Sequence, residues 1–214
     1  MAAWLAMLAD DKRFLVVGAI GHSEGALSGT IASQRGGVSA FVSLAGGRRL
    51  FDEVMMYQID ASVKAGEMPK KAADAMRTAL AELKAGRTIE KRPDNIPVVF
   101  WQGLFVPRGQ EYLSSIFQYD PAVEVGKLCD KGVKILVIRG STDLSSGPED
   151  SLRLANAAHT KPVTIQGMNH ELKDAPMNRS ANNAVSSDPK RPLSAGLIEE
   201  IAEFLLNLTV KPKN

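Results

Sequence analysis

The chain alternates short apolar runs with segments whose apolar residues recur at helical spacing. The apolar runs are typical of buried strands, and they cover residues 14–20, 38–45, 133–139 and 163–166. Segments that favour helix cover residues 26–32, 121–128 and 149–158, and residues 1–8 are predicted to end a helix that leads into the first strand. This alternation predicts an α/β fold, with a mostly parallel sheet and flanking helices.

A long, mostly helical block at residues 51–119 interrupts the alternation. Its first part favours two helices separated by a break at 66–69, whereas three prolines (Pro93, Pro97 and Pro107) oppose regular helix in the second part, residues 87–119. The block is too long for a simple crossover between strands. We therefore predict a helical cap over the carboxyl ends of the strands, inserted between core segments 1–50 and 120–214.

The second part of the cap also concentrates large apolar side chains. They are Val98, Val99, Phe100, Trp101, Leu104 and Phe105. An acyl-binding pocket and the cap's own core are both consistent with this composition, and the sequence leaves the two open.

The composition of the chain argues for a globular protein and against several kinds of partner and site. With 214 residues, 44% of them hydrophobic, the chain can bury a substantial core as one ordinary domain or two small ones. Its 26 basic and 24 acidic residues form no basic block interleaved with aromatics, which argues against nucleic acid as a partner. Cys129 is the only cysteine and the three histidines form no HExxH pair, so we expect no disulfide, metal or other cofactor. No apolar run approaches a membrane span of about 18 residues, and no basic leader precedes the first helix, so we expect a cytoplasmic protein.

The sequence Gly21-His22-Ser23-Glu24-Gly25 lies between the first predicted strand and helix. A serine flanked by glycines two residues away is typical of a sharp strand-to-helix turn that lifts a nucleophilic hydroxyl above a sheet. Both glycines are predicted to prevent clashes between strand and helix. The first N–H groups of the helix, that of Glu24 among them, would face an oxyanion. A glycine-rich turn with an incidental serine is the alternative.

Two further polar residues follow predicted strands. Asp143 comes just after strand 133–139, and His170 comes just after strand 163–166. Asp143 alone is equally explained as a helix cap or turn residue, and His170 alone as a structural loop histidine. The carboxyl ends of parallel strands meet at one edge of a sheet, where ligands bind. Ser23, Asp143 and His170 together therefore predict a catalytic triad, in the chain order that α/β-hydrolases use.

The chain resembles bacterial serine esterases of the α/β-hydrolase superfamily. The resemblance runs along nearly the whole chain through the motifs GHSEGALSG, SSIFQYDPA, IRGSTDL, GMNHELKDAP and DPKRPLSAGLIEEIAEFL. It implies that Ser23 is the nucleophile, His170 the base and Asp143 the acid, with the Glu24 amide in the oxyanion hole. It also implies hydrolysis of carboxylic esters without a metal or organic cofactor.

One departure from the family concerns the start of the chain. In the family several strands and a His-Gly loop, which supplies a second oxyanion donor, precede the turn, whereas here Ser23 follows one predicted strand. The sequence thus resembles the C-terminal portion of such an enzyme. We expect either reduced activity or a second oxyanion donor that is supplied from elsewhere. The strand at 14–20 would have one edge unpaired, which predicts a homo-oligomer, most simply a dimer, formed through this edge or through the Trp4-Leu5-Leu8 helix.

The leading hypothesis is a serine carboxylesterase that acts on a small-molecule ester with a small or medium acyl group. An acyltransferase or peptidase could use the same triad with another acceptor or leaving group. A binding or assembly protein that keeps the fold without efficient catalysis is the alternative from another class. Retention of all three triad residues at separate strand ends favours an enzyme.

Overall fold

The computed structural model describes residues 1–208, and these form two units. The first unit comprises Met1–Arg48 together with the chain from Pro121 onward, and the second is Arg49–Asp120. The ten described helices are α1 (Ala2–Asp10), α2 (Glu24–Gly36), α3 (Phe51–Lys64), α4 (Lys70–Lys84), α5 (Val98–Leu104), α6 (Pro107–Ile116), α7 (Pro121–Asp130), α8 (Pro148–Ala157), α9 (Arg179–Ser186) and α10 (Leu197–Leu206). No described helix is both long enough and apolar enough to cross a bilayer.

The first unit is built on a four-stranded parallel sheet. Its strands are β1 (Gly18–His22), β2 (Ala40–Leu44), β3 (Lys134–Gly140) and β4 (Val163–Ile165), and they are adjacent in sequence order. Ile20 pairs with Val42, which pairs in turn with Leu136. All four strands run in the same direction, so their carboxyl ends lie at one edge of the sheet. The predicted α/β class is confirmed.

Alternate residues of the central strands pack on opposite faces of the sheet. Phe41 and Val137 belong to a buried cluster with residues of α1, α2, α7 and α8, while Val42 and Ile138 belong to a second cluster with residues of α10. This alternation follows from the two-residue period of a strand. Because both faces are covered, the central strands read as continuous apolar runs in the sequence.

The first strand is shorter than predicted. Pairing with β2 begins where the N–H of Ser39 donates to the C=O of Val17 at 2.8 Å, and β1 itself starts at Gly18 rather than at Phe14. Phe14 and Leu15 are exposed, because a turn closed by the N–H of Phe14 on the C=O of Asp11 precedes the strand. Within the described residues, β1 pairs with β2 alone, so its outer edge is open.

The second unit contains α3 to α6. The break predicted at 66–69 is confirmed, since α3 ends at Lys64 and α4 begins at Lys70. The irregular conformation predicted for 87–119 is wrong in part, because α5 and α6 lie there. Pro97 precedes the first residue of α5 and Pro107 is the first residue of α6, where a missing N–H costs no intrahelical hydrogen bond.

The large apolar side chains that the sequence concentrates in this unit differ in their solvent exposure. Phe105 is fully buried, whereas Val98 and Val99 are 52% and 72% exposed. Phe105 therefore belongs to the core of the second unit, and the two valines do not. A role of this unit as a cap, and of its apolar residues as an acyl pocket, stays a prediction.

Candidate active site

Ser23 lies on the sharp turn between β1 and α2. Its backbone angles, φ 55° and ψ −121°, belong to a strained region that costs a non-glycine residue about 1–3 kcal/mol. The N–H of Ser23 donates to the C=O of Leu44 at 2.9 Å, which ties the turn to β2. The Ser23 side chain makes no capping hydrogen bond to α2, so its hydroxyl is available to a partner outside the helix.

The two glycines of the turn have different roles. A Cβ atom at Gly21 would lie 2.2 Å from the carbonyl oxygen of Gly25, so only glycine fits between β1 and α2 at this position. At Gly25 a Cβ atom would meet no described atom within 4 Å apart from the chain neighbours and the nearby backbone of α2. The prediction that both glycines prevent a clash is therefore right for Gly21 and wrong for Gly25.

Asp143 lies just after β3, and its side chain is fully buried. Its Oδ1 atom accepts the backbone N–H groups of Ser145 and Ser146 at 2.7 and 2.9 Å, and its Oδ2 atom accepts the hydroxyl of Ser146 at 2.7 Å. The carboxylate thus stabilises a local turn, as the alternative interpretation of Asp143 proposed. These donors also hold it in one orientation.

His170 lies after β4 and contacts both other predicted residues. Its Nδ1 atom is 3.0 Å from Asp143 Oδ2 and 3.2 Å from Asp143 Oδ1, and its Nε2 atom is 2.9 Å from Ser23 Oγ. Because an ionised carboxylate only accepts hydrogen bonds, Nδ1 carries the proton. In the neutral imidazole Nε2 is then free to accept the Ser23 hydroxyl proton. The structure therefore brings Ser23, His170 and Asp143 into one hydrogen-bonded chain.

The pKa values of His170 and Asp143 shift in opposite directions. Burial lowers the pKa of His170, but the hydrogen bond and charge of Asp143, with the charge of Glu171, outweigh burial and raise it above its ordinary value. Burial raises the pKa of Asp143, but the hydrogen bond and charge of His170 and the hydrogen bonds of Ser146 outweigh burial and lower it. Each group thus favours the charged form of the other, so a proton that reaches His170 is stabilised there.

Comparison with known proteins identifies the fold of the chain. No protein-family model matches the sequence, and no curated protein matches it. The structure is similar to that of Rv0554 from Mycobacterium tuberculosis, with 16% identity over 97% of this chain and 70% of that chain and a TM-score of 0.50. It is also similar to olei00960, a hydrolase from Oleispira antarctica, with 14% identity over 97% of this chain and 71% of that chain and a TM-score of 0.50. The chain has the α/β-hydrolase fold.

Two polar residues beside the predicted triad of this α/β-hydrolase fold were not singled out from the sequence. The Nε2–H of His22 donates to the backbone C=O of His170 at 2.7 Å, and the two rings lie 5.2 Å apart. Ser146 provides two of the hydrogen bonds that orient Asp143. The signals were present, since His22 directly precedes Ser23 and an aspartate side chain commonly accepts hydrogen bonds from the residues that follow it in a turn.

The predicted oxyanion donor lies at the start of α2. Glu24 is the first residue of this helix, where a backbone N–H has no intrahelical acceptor. One carboxylate oxygen of Glu24 is buried without a hydrogen-bond partner. Among residues 1–208, no three His, Cys, Asp or Glu side chains cluster as a metal site requires.

Proposed function

We propose that the protein is a serine hydrolase that cleaves small or medium acyl esters through an acyl-enzyme on Ser23. The observation that carries this proposal is the 2.9 Å contact between Ser23 Oγ and His170 Nε2, with Asp143 on the other nitrogen of the same ring. The strained backbone of Ser23 and the raised pKa of His170 support it. The α/β-hydrolase fold is consistent with it.

In the proposed reaction, His170 accepts the hydroxyl proton while Ser23 Oγ attacks the ester carbonyl carbon. Asp143 stabilises the imidazolium that forms, and the N–H of Glu24 donates to the oxyanion. His170 then returns the proton to the leaving alkoxide, and the acyl group stays on Ser23. Water, deprotonated by His170, then attacks the acyl carbon. The bond between that carbon and Ser23 Oγ breaks, His170 returns the proton to Oγ, and the carboxylic acid leaves.

The same residues support an acyltransferase or a peptidase. In an acyltransferase an alcohol or amine replaces water as the acceptor, and in a peptidase the leaving group is an amine. Product analysis with each acceptor and each substrate class distinguishes these activities from ester hydrolysis. A binding or assembly protein would instead show no acylation of Ser23.

Labelling with a serine-directed fluorophosphonate, together with hydrolysis of a short p-nitrophenyl ester, tests the proposal. Wild-type protein should be labelled stoichiometrically, whereas Ser23→Ala should lose labelling and lose about 10⁴- to 10⁶-fold in ester turnover. Ser187→Ala is the matched control, because Ser187 is exposed and lies after α9. It should behave as wild type.

The outcomes separate the alternatives. Equal turnover by Ser23→Ala and wild type would refute Ser23 as the nucleophile. Labelling of Ser23 without ester turnover would indicate an intact triad with an incomplete oxyanion hole, since one missing donor costs on the order of 10²- to 10³-fold. A wild-type protein that is not labelled would favour the binding protein.

We also propose that the protein forms a homodimer through the open edge of β1. The unpaired strand lies beside exposed apolar side chains, among them Leu15 and Ile20, and such an edge favours association with another strand. The predicted alternative through α1 has less support. Leu5 is buried in the core and Leu8 is partly buried against it, so of the three predicted residues Trp4 alone remains for a partner.

A further inference from the structure

Asn182 is a buried polar residue on an otherwise solvent-facing helix. Its residue surface is 3% exposed, and it alone among the residues of α9 is buried. Its Nδ2 atom donates to the C=O of Thr142 at 3.0 Å and to the C=O of Pro176 at 2.9 Å. Because carbonyl oxygens only accept hydrogen bonds, the orientation of this amide is determined, and both its N–H groups are used.

Asn169 is a second buried amide beside the first. It is 0% exposed, and its Nδ2 atom lies 3.4 Å from Asn182 Oδ1 and 3.1 Å from Ser186 Oγ. Its Oδ1 atom accepts the N–H of Lys173 at 3.0 Å. The orientation of Asn169 is therefore determined as well. The two amides connect α9 to the segment that follows β4.

The two segments that Asn182 contacts are those that carry the proposed acid and base. Thr142 directly precedes Asp143, and Asn169 directly precedes His170. We infer that Asn182 is a positioning residue, which acts together with the backbone hydrogen bond between these two segments to hold them at the separation that the hydrogen bond between Asp143 and His170 requires. This inference rests on the proposed function. Asn182 makes no hydrogen bond to the carboxylate or the imidazole itself, so its effect is indirect.

The helix that carries Asn182 is itself held at both ends. At its start the side chain of Asn178 accepts the N–H of Ala181 at 3.1 Å, as a helix cap does. At its end Lys173 Nζ donates to the C=O groups of Ser186 and Asp188 at 3.1 and 2.8 Å, where a cation is favourable. Since Lys173 belongs to the segment after β4, it fastens α9 to the same segment that carries His170.

The expected effect of losing Asn182 follows from the geometry of the triad. A displacement of about 1 Å at a reacting centre can cost about 10²-fold in rate. The groups that face His170 are Asp143, Ser23, His22 and Glu171. If Asp143 moves away, it raises the pKa of His170 less, so the acidic limb of the pH–rate profile should move to lower pH.

The test compares Asn182→Leu with Asn183→Leu. Leucine has nearly the shape of asparagine, adds no charge and removes both donors, and Asn183 is an exposed neighbour on the same helix. In Asn182→Leu we expect kcat for the p-nitrophenyl ester to fall about 10- to 100-fold with KM little changed. The acidic limb should move to lower pH. Asn183→Leu should stay within about twofold of wild type.

A further variant and a folding check keep the outcomes distinct. Asn182→Ser keeps one donor, so its rate should lie between those of wild type and Asn182→Leu, and it decides the question if the leucine variant does not fold. Thermal unfolding with far-UV circular dichroism establishes the folded fraction of each protein.

An active wild type with equal rates in Asn182→Leu and Asn183→Leu would overturn the inference alone. So would a rate loss that only follows the folded fraction, with the acidic limb unmoved. A wild type inert to both ester and fluorophosphonate would overturn the proposed function, and the inference with it.

Discussion

Gly21 offers the sharpest test of the turn that carries Ser23. A Cβ atom at this position would lie 2.2 Å from Gly25 O, 2.7 Å from Gly25 C and 2.8 Å from Ala26 Cα. All three are backbone atoms, so no side-chain rotation can relieve the contact. The substitution Gly21→Ala therefore forces the start of α2 away from β1, and the strained backbone of Ser23 moves with it.

The expected loss of stability in Gly21→Ala follows from the kind of atoms that clash. Overpacking a core by a methyl group costs about 1–3 kcal/mol when neighbouring side chains can adjust. Because the neighbours here are backbone, we expect the upper end of that range, about 3 kcal/mol. A protein of this size loses about 2–4 °C of Tm per kcal/mol, so Tm should fall by about 6–12 °C.

Gly25→Ala is the matched control for this substitution. Apart from its chain neighbours and the nearby backbone of α2, a Cβ atom at Gly25 meets no atom of residues 1–208 within 4 Å. Alanine is also the better helix former by up to about 1 kcal/mol. Its Tm should not fall. Differential scanning calorimetry of wild type and both variants measures the difference. A Gly21→Ala variant that melts within about 2 °C of wild type would refute the described packing of β1 against α2. Equal losses in both variants would do the same.

Two further predictions concern pH and oligomeric state. Asp143 and Glu171 raise the pKa of His170 above its ordinary value of about 6.5, and only the neutral ring can accept the Ser23 proton, so kcat/KM should fall to half at a pH above about 6.5. A rate that stays flat down to about pH 5 would exclude His170 as the base. Light scattering after size-exclusion chromatography at micromolar concentration should give about twice the chain mass of 23.0 kDa. An active monomer would contradict pairing through β1.

The fold of the first unit was predictable because its central strands are buried on both faces. Phe41 and Val42 point to opposite sides of β2, yet both are apolar, so the sequence shows an uninterrupted run. The start of β1 was not predictable in the same way. Phe14 and Leu15 have the composition of a buried strand, but a strand needs a pairing partner, and pairing with β2 begins only beside Val17.

Three of the helices that were not predicted, α5, α6 and α9, have a clear physical reason. Proline opposes helix in the interior of a helix but not at its start, and Pro97 and Pro107 lie where α5 and α6 begin. The helix α9 has no apolar stripe facing a core, because its buried residue is Asn182. Hydrophobic periodicity cannot detect a helix whose packed face is polar.

The candidate site was predictable in position because its residues follow the ends of parallel strands. Ser23, Asp143 and His170 come after β1, β3 and β4, and parallel strands bring such residues to one edge. The supporting contacts were not predictable. Asn182 meets Thr142 across 40 residues of sequence, and single-sequence patterns carry no information on such a pair.

Backbone hydrogen bonds continue past the strand ends and link the three segments of the site. The N–H of Ser23 donates to Leu44 in β2, the N–H of Ala45 donates to Ile138 in β3, and the N–H of Ser141 donates to Ile165 in β4, at 2.9, 2.8 and 2.9 Å. Each segment is thereby joined to the next strand of the sheet. The spacing between Ser23 and the other two residues is therefore set mainly by the backbone of the sheet. Beyond that ladder, the N–H of Thr142 donates to the C=O of Met168 at 3.0 Å, so one more backbone bond joins the segments of Asp143 and His170. Side-chain contacts, those of Asn182 among them, add to it, which is why the alignment of the two residues should respond to Asn182→Leu.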